Sequence, residues 1–147
     1  MNTIRLALAQ INPVVGDLEG NVELIGDLID KVDHCDLAVF GEMSLTGYPL
    51  EDLVLKPGFI ADNQSALKTL ASMSGNCALV IGFADSDGIN VYNSIAICHQ
   101  GEIIGSYRKQ NLPNVEVFDE VRNFSPGSDP LNLFSIGGTS IGFVICE

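Results

Sequence analysis

Three residues whose types could share a nucleophilic reaction stand just past apolar, strand-like runs. Glu42 follows Asp36–Phe40 (DLAVF) and Gly41, Lys109 follows Glu102–Arg108 (EIIGSYR), and Cys146 follows Thr139–Ile145 (TSIGFVI). A free thiol has a pKa near about 8.5, so a neighbouring base or cation must supply the thiolate that attacks. A carboxylate can take the thiol proton, and an ammonium can hold the negative charge that builds on an attacked carbonyl oxygen. Ligands of open α/β sheets bind outside the carboxyl ends of strands, so these positions converge on one place. Taken singly, each has an ordinary explanation: a capping or solvated glutamate, a surface lysine, a small apolar cysteine in a core.

Other chemistries find little support. His34 lies near a helix end and His99 just before a hairpin turn, both suited to solvation or a local hydrogen bond, so a Cys-His pair is not favoured. No His, Cys or carboxylate spacing matches a zinc site or an EF-hand, and neither GxxxxGK[ST] nor GxGxxG is present to cradle a phosphate. No metal or cofactor is therefore expected in this chain. Cys35, Cys77 and Cys98 have no CxxC partner and no secretory context, and read as reduced thiols in apolar surroundings. The formal net charge of -12 repels phosphate backbones and anionic lipid, so neither nucleic acid nor membrane is an expected partner. Met1–Arg5 leads into a strand pattern without a signal or transit segment, which makes the cytoplasm the expected location.

The elements that must position these residues follow from periodicity. Thr3–Ala9 alternates as a strand, and Asn21–Val32 carries Val22, Ile25, Leu28, Ile29 and Val32 at helical spacing, with Asn21 read as the N-cap. Asp36–Phe40 is a buried strand, Gly41–Leu50 a polar Gly/Pro loop, Phe59–Met73 a second helix and Cys77–Phe83 another buried strand. Val91–His99 and Glu102–Tyr107 flank Gln100-Gly101, and Leu131–Ile136 and Thr139–Cys146 flank Gly137-Gly138, in the manner of hairpins. Between them, Lys109–Pro130 is longer than a compact domain carries without purpose and reads as an active-site or interface loop. The order predicts a single α/β domain with a sheet that is partly parallel and partly antiparallel.

VFGEMSLTGYPLEDL around Glu42, GSYRKQNLPNVEVFDEVRNFSPG around Lys109 and SIGFVICE around Cys146 resemble the three signature regions of the nitrilase superfamily of carbon-nitrogen hydrolases. LALAQINPVVGDLEGN is similar to that family's first strand and turn, and LTGYPLEDL with YRKQNLPN resembles most the glutaminase domains of glutamine-dependent NAD synthetases. The resemblance implies an incomplete nitrilase-like α-β-β-α sandwich with a mixed sheet. It implies that Glu42 is general base and acid, that Lys109 and the Glu147 backbone N–H stabilise the oxyanion, and that Cys146 attacks L-glutamine to form a γ-glutamyl thioester. It also makes Glu120 a second glutamate supporting the lysine, Tyr48 a pocket aromatic, and Val115 the occupant of a position where such synthetases place a glutamine-contacting tyrosine. Gly41 replaces the usual Pro before the base, Glu116 a frequent Gly and Asn123 a usual aromatic.

Nitrilase-like domains continue past the nucleophile, so by resemblance residues 1–147 are the N-terminal part of such a domain, truncated just after Cys146 and expected to be poorly active alone. The implied full-length protein is a homo-oligomer. Its synthetase domain uses ATP and Mg²⁺ to amidate nicotinic acid adenine dinucleotide with the released ammonia. Two alternatives stand beside this: a stand-alone amidase of the same superfamily, and a non-catalytic fragment.

Overall fold

The computed structural model describes residues 3–115 and 118–146. Five strands form one sheet in chain order: β1 (Leu6–Ala9), β2 (Leu37–Phe40), β3 (Ala78–Ser86), β4 (Val91–His99) and β5 (Glu102–Arg108). β1, β2 and β3 run parallel, joined by α1 (Leu18–Val32) and α2 (Pro57–Met73), and β3, β4 and β5 continue antiparallel as a meander. The mixed sheet is the one the sequence predicts. β2, β3 and β4 are buried along most of their length, which is why their sequences are continuous apolar runs and do not alternate.

Each face of the sheet has its own cover. Ile25 and Ile29 of α1 and Leu67 and Leu70 of α2 pack on Ala38, Phe40, Leu79 and Ile81. On the opposite face, Leu37, Val80, Ile95 and Ile97 meet Ile136 and Ile145, with Phe134, Ile141 and Phe143 alongside. These last residues come from a separate hairpin, β6 (Leu133–Ile136) with β7 (Thr139–Gly142), and from the segment after it. Both tight turns carry positive φ at each central residue, 53° and 85° at Gln100-Gly101 and 58° and 74° at Gly137-Gly138. That combination matches the right-handed twist of the flanking strands.

Several predicted boundaries shift. α1 begins three residues before Asn21, capped by Asp17, whose carboxylate accepts from Gly20 N at 3.0 Å. Asn21 is therefore not the cap; it is buried inside the helix. α2 starts at Pro57, which needs no N–H partner in a first turn. A 3-10 turn forms at Glu51–Leu55, just past the Gly41–Leu50 loop, and a short helix α3 (Glu120–Asn123) lies within the Lys109–Pro130 segment read as loop. β7 stops at Gly142, so Cys146 follows three residues without ladder pairing, not a strand end. Among the described residues no helix is long and apolar enough to cross a membrane.

Candidate active site

Glu42 is carried on a turn fixed from beneath. Ser44 N donates to Gly41 O at 3.2 Å, and Met43 O accepts from Thr46 N and Gly47 N at 3.1 and 2.8 Å. Met43, with φ 53°, turns the chain sharply here. Gly82 of β3 docks this turn with both its backbone groups: Gly82 O accepts from Leu45 N at 2.9 Å and Gly82 N donates to Ser44 Oγ at 3.1 Å. The approach needs glycine, because a Cβ at position 82 would stand 2.6 Å from Gly41 O and 2.9 Å from the carbonyl carbon of Glu42. From the side, Asn21 ties in a second loop, taking Val14 N–H at 2.8 Å and giving Nδ2 protons to Val14 O and Leu45 O. Gly41 itself has open space around it and no positive φ, so Glu42 is held by Met43, Ser44 and Gly82 without the φ restraint of a proline.

Lys109 continues the line of β5. Its N–H donates to Asn93 O and its carbonyl accepts from Gly127 N, both at 2.8 Å. The side chain is only 1% exposed. Nζ donates to Glu42 Oε1 at 2.7 Å and lies 3.0 Å from each carboxylate oxygen of Glu120. Glu120, buried at the start of α3, also accepts from the Tyr48 hydroxyl at 3.0 Å on Oε1. Asn93 of β4 completes the cluster: its Nδ2 donates to Glu42 Oε1 at 2.6 Å and lies 3.5 Å from Glu120 Oε1.

The electrostatics follow from this arrangement. Burial pulls the Lys109 pKa down, but the hydrogen bonds and charges of Glu42 and Glu120 outweigh it and hold the ammonium above the ordinary lysine value. Tyr48 is pushed well above the ordinary phenol value by burial, then by its hydrogen bond to Glu120 and the surrounding carboxylates. Its hydroxyl thus remains a donor, and that donor is committed to Glu120. Cys146 is exposed, and after burial, Glu120 and Glu42 it is the last of the groups that raise the Tyr48 hydroxyl. Its φ of 32° lies in the left-handed region, a conformation that costs a non-glycine residue about 1–3 kcal/mol and clusters at functional sites. A cavity of about 330 Å³ opens next to Tyr48 and Glu120, bordered also by Pro49, Asp52, Arg122 and Phe124.

Glu42, Lys109, Glu120 and Tyr48 are therefore brought into one hydrogen-bonded cluster. Val115 is not: its side chain is 66% exposed. Asn123 borders the cavity. Glu116 and Glu147 lie outside the described residues. Asn93 was not anticipated; the available signal was a polar Asn93-Ser94 pair interrupting the apolar run of β4. His99 Nε2 pairs with Asn76 O at 3.2 Å, a local bond on the surface, and no group of three or more His, Cys, Asp or Glu among the described residues is arranged to hold a metal.

Residues 5–147 match the carbon-nitrogen hydrolase family. The chain is 42% identical over its whole length to a glutamine-dependent NAD(+) synthetase of Thermotoga maritima, covering 26% of that protein. It is 38% identical to one of Aquifex aeolicus, again covering 26%. It thus spans about a quarter of the length of the curated relatives it matches. Among solved structures, a glutamine-dependent NAD+ synthetase of Acinetobacter baumannii superposes with a TM-score of 0.90 at 32% identity, over 97% of this chain and 27% of that one. An amidase of Nesterenkonia sp. shares the fold, with a TM-score of 0.83 at 23% identity over 97% of this chain and 55% of the amidase.

Proposed function

Because the chain belongs to the carbon-nitrogen hydrolase family, we propose that it is the N-terminal part of the amide-cleaving domain of a glutamine-dependent NAD synthetase, with Glu42, Lys109 and Cys146 as its reacting groups. The observation that carries this reading is the Lys109 ammonium, buried and held between two carboxylates. A surface lysine gains nothing from such a setting, whereas an electrostatic catalyst must be fixed in advance of the reaction.

Glu42 takes the proton of the Cys146 thiol as sulfur attacks the side-chain amide carbon of glutamine. The carbonyl π electrons move to oxygen, giving a tetrahedral oxyanion. An ammonium has three N–H donors; two of those of Lys109 go to Glu42 and Glu120, which leaves the third for the oxyanion. The backbone N–H of Glu147 is the second donor in this scheme. Collapse expels ammonia, protonated by Glu42, and leaves a γ-glutamyl thioester. Water then attacks the thioester, Glu42 receives its proton, and glutamate departs with the thiol restored. Tyr48 and Glu120 wall the amide end of the pocket, and Val115 is assigned to its outer rim.

The longer protein, proposed as a cytoplasmic homo-oligomer, would pass the ammonia to a synthetase domain that uses ATP and Mg²⁺ to amidate nicotinic acid adenine dinucleotide. That ATP- and Mg²⁺-dependent chemistry is assigned to the remainder of the protein. The test is the intact protein carrying Glu42→Gln or Cys146→Ala. Each variant is expected to lose NAD formation from glutamine by at least about 10³-fold while keeping NAD formation from added ammonium. Continued use of glutamine by Cys146→Ala would overturn the reading.

A further inference from the structure

Asn93 touches more of this cluster than its place in the middle of a strand requires. Its carbonyl aligns the Lys109 backbone through the 2.8 Å bond from Lys109 N, and its side-chain amide reaches Glu42 at 2.6 Å and lies 3.5 Å from Glu120. We propose that Asn93 is a positioning residue for proton transfer, occupying Glu42 Oε1 so that Oε2 is the oxygen that exchanges protons with the thiol and the leaving ammonia. This rests on the reading of Glu42 as the base.

Two short donors meet on Glu42 Oε1, Lys109 Nζ at 2.7 Å and Asn93 Nδ2 at 2.6 Å. A carboxylate oxygen offers two lone-pair sites, so this oxygen is saturated and cannot also receive the thiol proton. The orientation of the Asn93 amide is set by the same contacts, since a flipped amide would press its oxygen against Glu42 and Glu120. The cost of that orientation is visible: among the described residues Asn93 Oδ1 is buried with no hydrogen-bond partner, a condition rarely kept without a reason. A neutral donor also suits the charge balance. Lys109 at the end of β5 bonds Glu42 and Glu120 of α3, Glu120 takes the Tyr48 hydroxyl, and the charges of Glu42 and Cys146 act on Tyr48. A cation at position 93 would compete with Lys109, and an anion would repel both carboxylates.

The test is the pH dependence of kcat and KM for glutamine in the intact protein, comparing wild type with Asn93→Ala and the nearly isosteric Asn93→Asp. Removing a hydrogen bond to the charged form of a carboxylate raises its pKa, so the acid limb of kcat/KM is expected to move up by about one pH unit in Asn93→Ala and further in Asn93→Asp. kcat should fall by about 10- to 100-fold, with KM little changed. The pH profile of Cys146 alkylation by iodoacetamide, which needs no turnover, should shift in the same direction. Limbs that stay in place while only thermal stability falls would make Asn93 structural and overturn the inference, as would failure of both variants to fold. Glu42→Gln separates the two levels. If it keeps glutaminase activity, the reading of Glu42 falls and takes the inference with it. If it is inactive while the Asn93 limbs do not move, the inference alone falls.

Discussion

A lysine with 1% of its side chain exposed and two carboxylates within 3.0 Å is held in one place by charge. Breaking such a cluster from either side leaves a buried charge without its partner, at a cost of about 3–5 kcal/mol. Lys109→Met is therefore expected to lower stability by about that amount, measured by urea denaturation, as well as to abolish glutaminase activity. Tyr48→Phe is milder. It removes one of the donors on Glu120 Oε1 and leaves Lys109 in place, so a loss of about 1–2 kcal/mol is expected, with kcat falling by no more than about tenfold. A fall of several hundredfold in Tyr48→Phe would show that its hydroxyl serves substrate, not Glu120. Legibility at this scale depended on neighbours. Glu42 and Lys109 could be found because each closes a recognisable apolar run, and Glu120 and Tyr48 because of the motif text around them. Asn93 was missed, since its only mark is a polar Asn93-Ser94 pair inside an apolar strand, which periodicity does not single out. Val115 had a motif position, but its exposed side chain leaves it apart from the cluster.

The elements do their positioning mainly through backbone. The turn carrying Glu42 is fixed by Gly82, whose two hydrogen bonds and missing Cβ let β3 lie directly beneath it. Gly82→Ala forces backbone against backbone, which cannot be relieved by rotating a side chain. It is expected to cost about 1–3 kcal/mol and to reduce glutaminase activity more than stability alone explains, read as a fall in kcat at a temperature where the variant is fully folded. Wild-type kcat in a folded Gly82→Ala would show that the turn does not depend on this docking. Strands and helices with strong periodicity were legible, as were the Gln100-Gly101 and Gly137-Gly138 turns, because two consecutive positive φ values require particular residues. Asn21 was misread because Asn favours caps and the apolar helical pattern becomes clear only after it. In fact Asp17 satisfies the helix start, and the Asn21 amide is used to bind two loops together. The reach of β7 was overestimated for a different reason: Phe143 and Ile145 are apolar because they pack on the sheet face, not because they pair in a ladder.

In the whole molecule, the two covers of the sheet and the site are coupled. Beneath the site, Met43, Leu50, Val54, Ile60, Ala84 and Phe124 form a third apolar cluster, so the turn that carries Glu42 is also part of the packing. The buried thiols report on that packing. Burial pushes Cys98 up to about 12, and burial followed by the nearby Cys35 and two aspartates pushes Cys77 up to about 11. Lys109 is raised as well, its carboxylates overcoming its burial. All three shifts have the same sign. The folded protein keeps a proton that the unfolded chain gives up, so the stabilisation is complete below the unfolded value and is lost as pH rises through the folded one. For Cys98 the window opens near the ordinary thiol value of about 8.5, and the loss proceeds at about 1.4 kcal/mol per pH unit. The melting temperature is therefore expected to fall steadily from about pH 9 upward, and Cys98→Ala should flatten that slope even though the smaller side chain lowers stability at neutral pH. Thiol labelling gives an independent check. Below pH 8, Cys146, the exposed thiol, should react quickly, and Cys35, Cys77 and Cys98 should react only on unfolding. If all four label together at neutral pH, or if melting is level between pH 8 and 10.5, the core described here is open to solvent and the sheet's covers do not close as drawn.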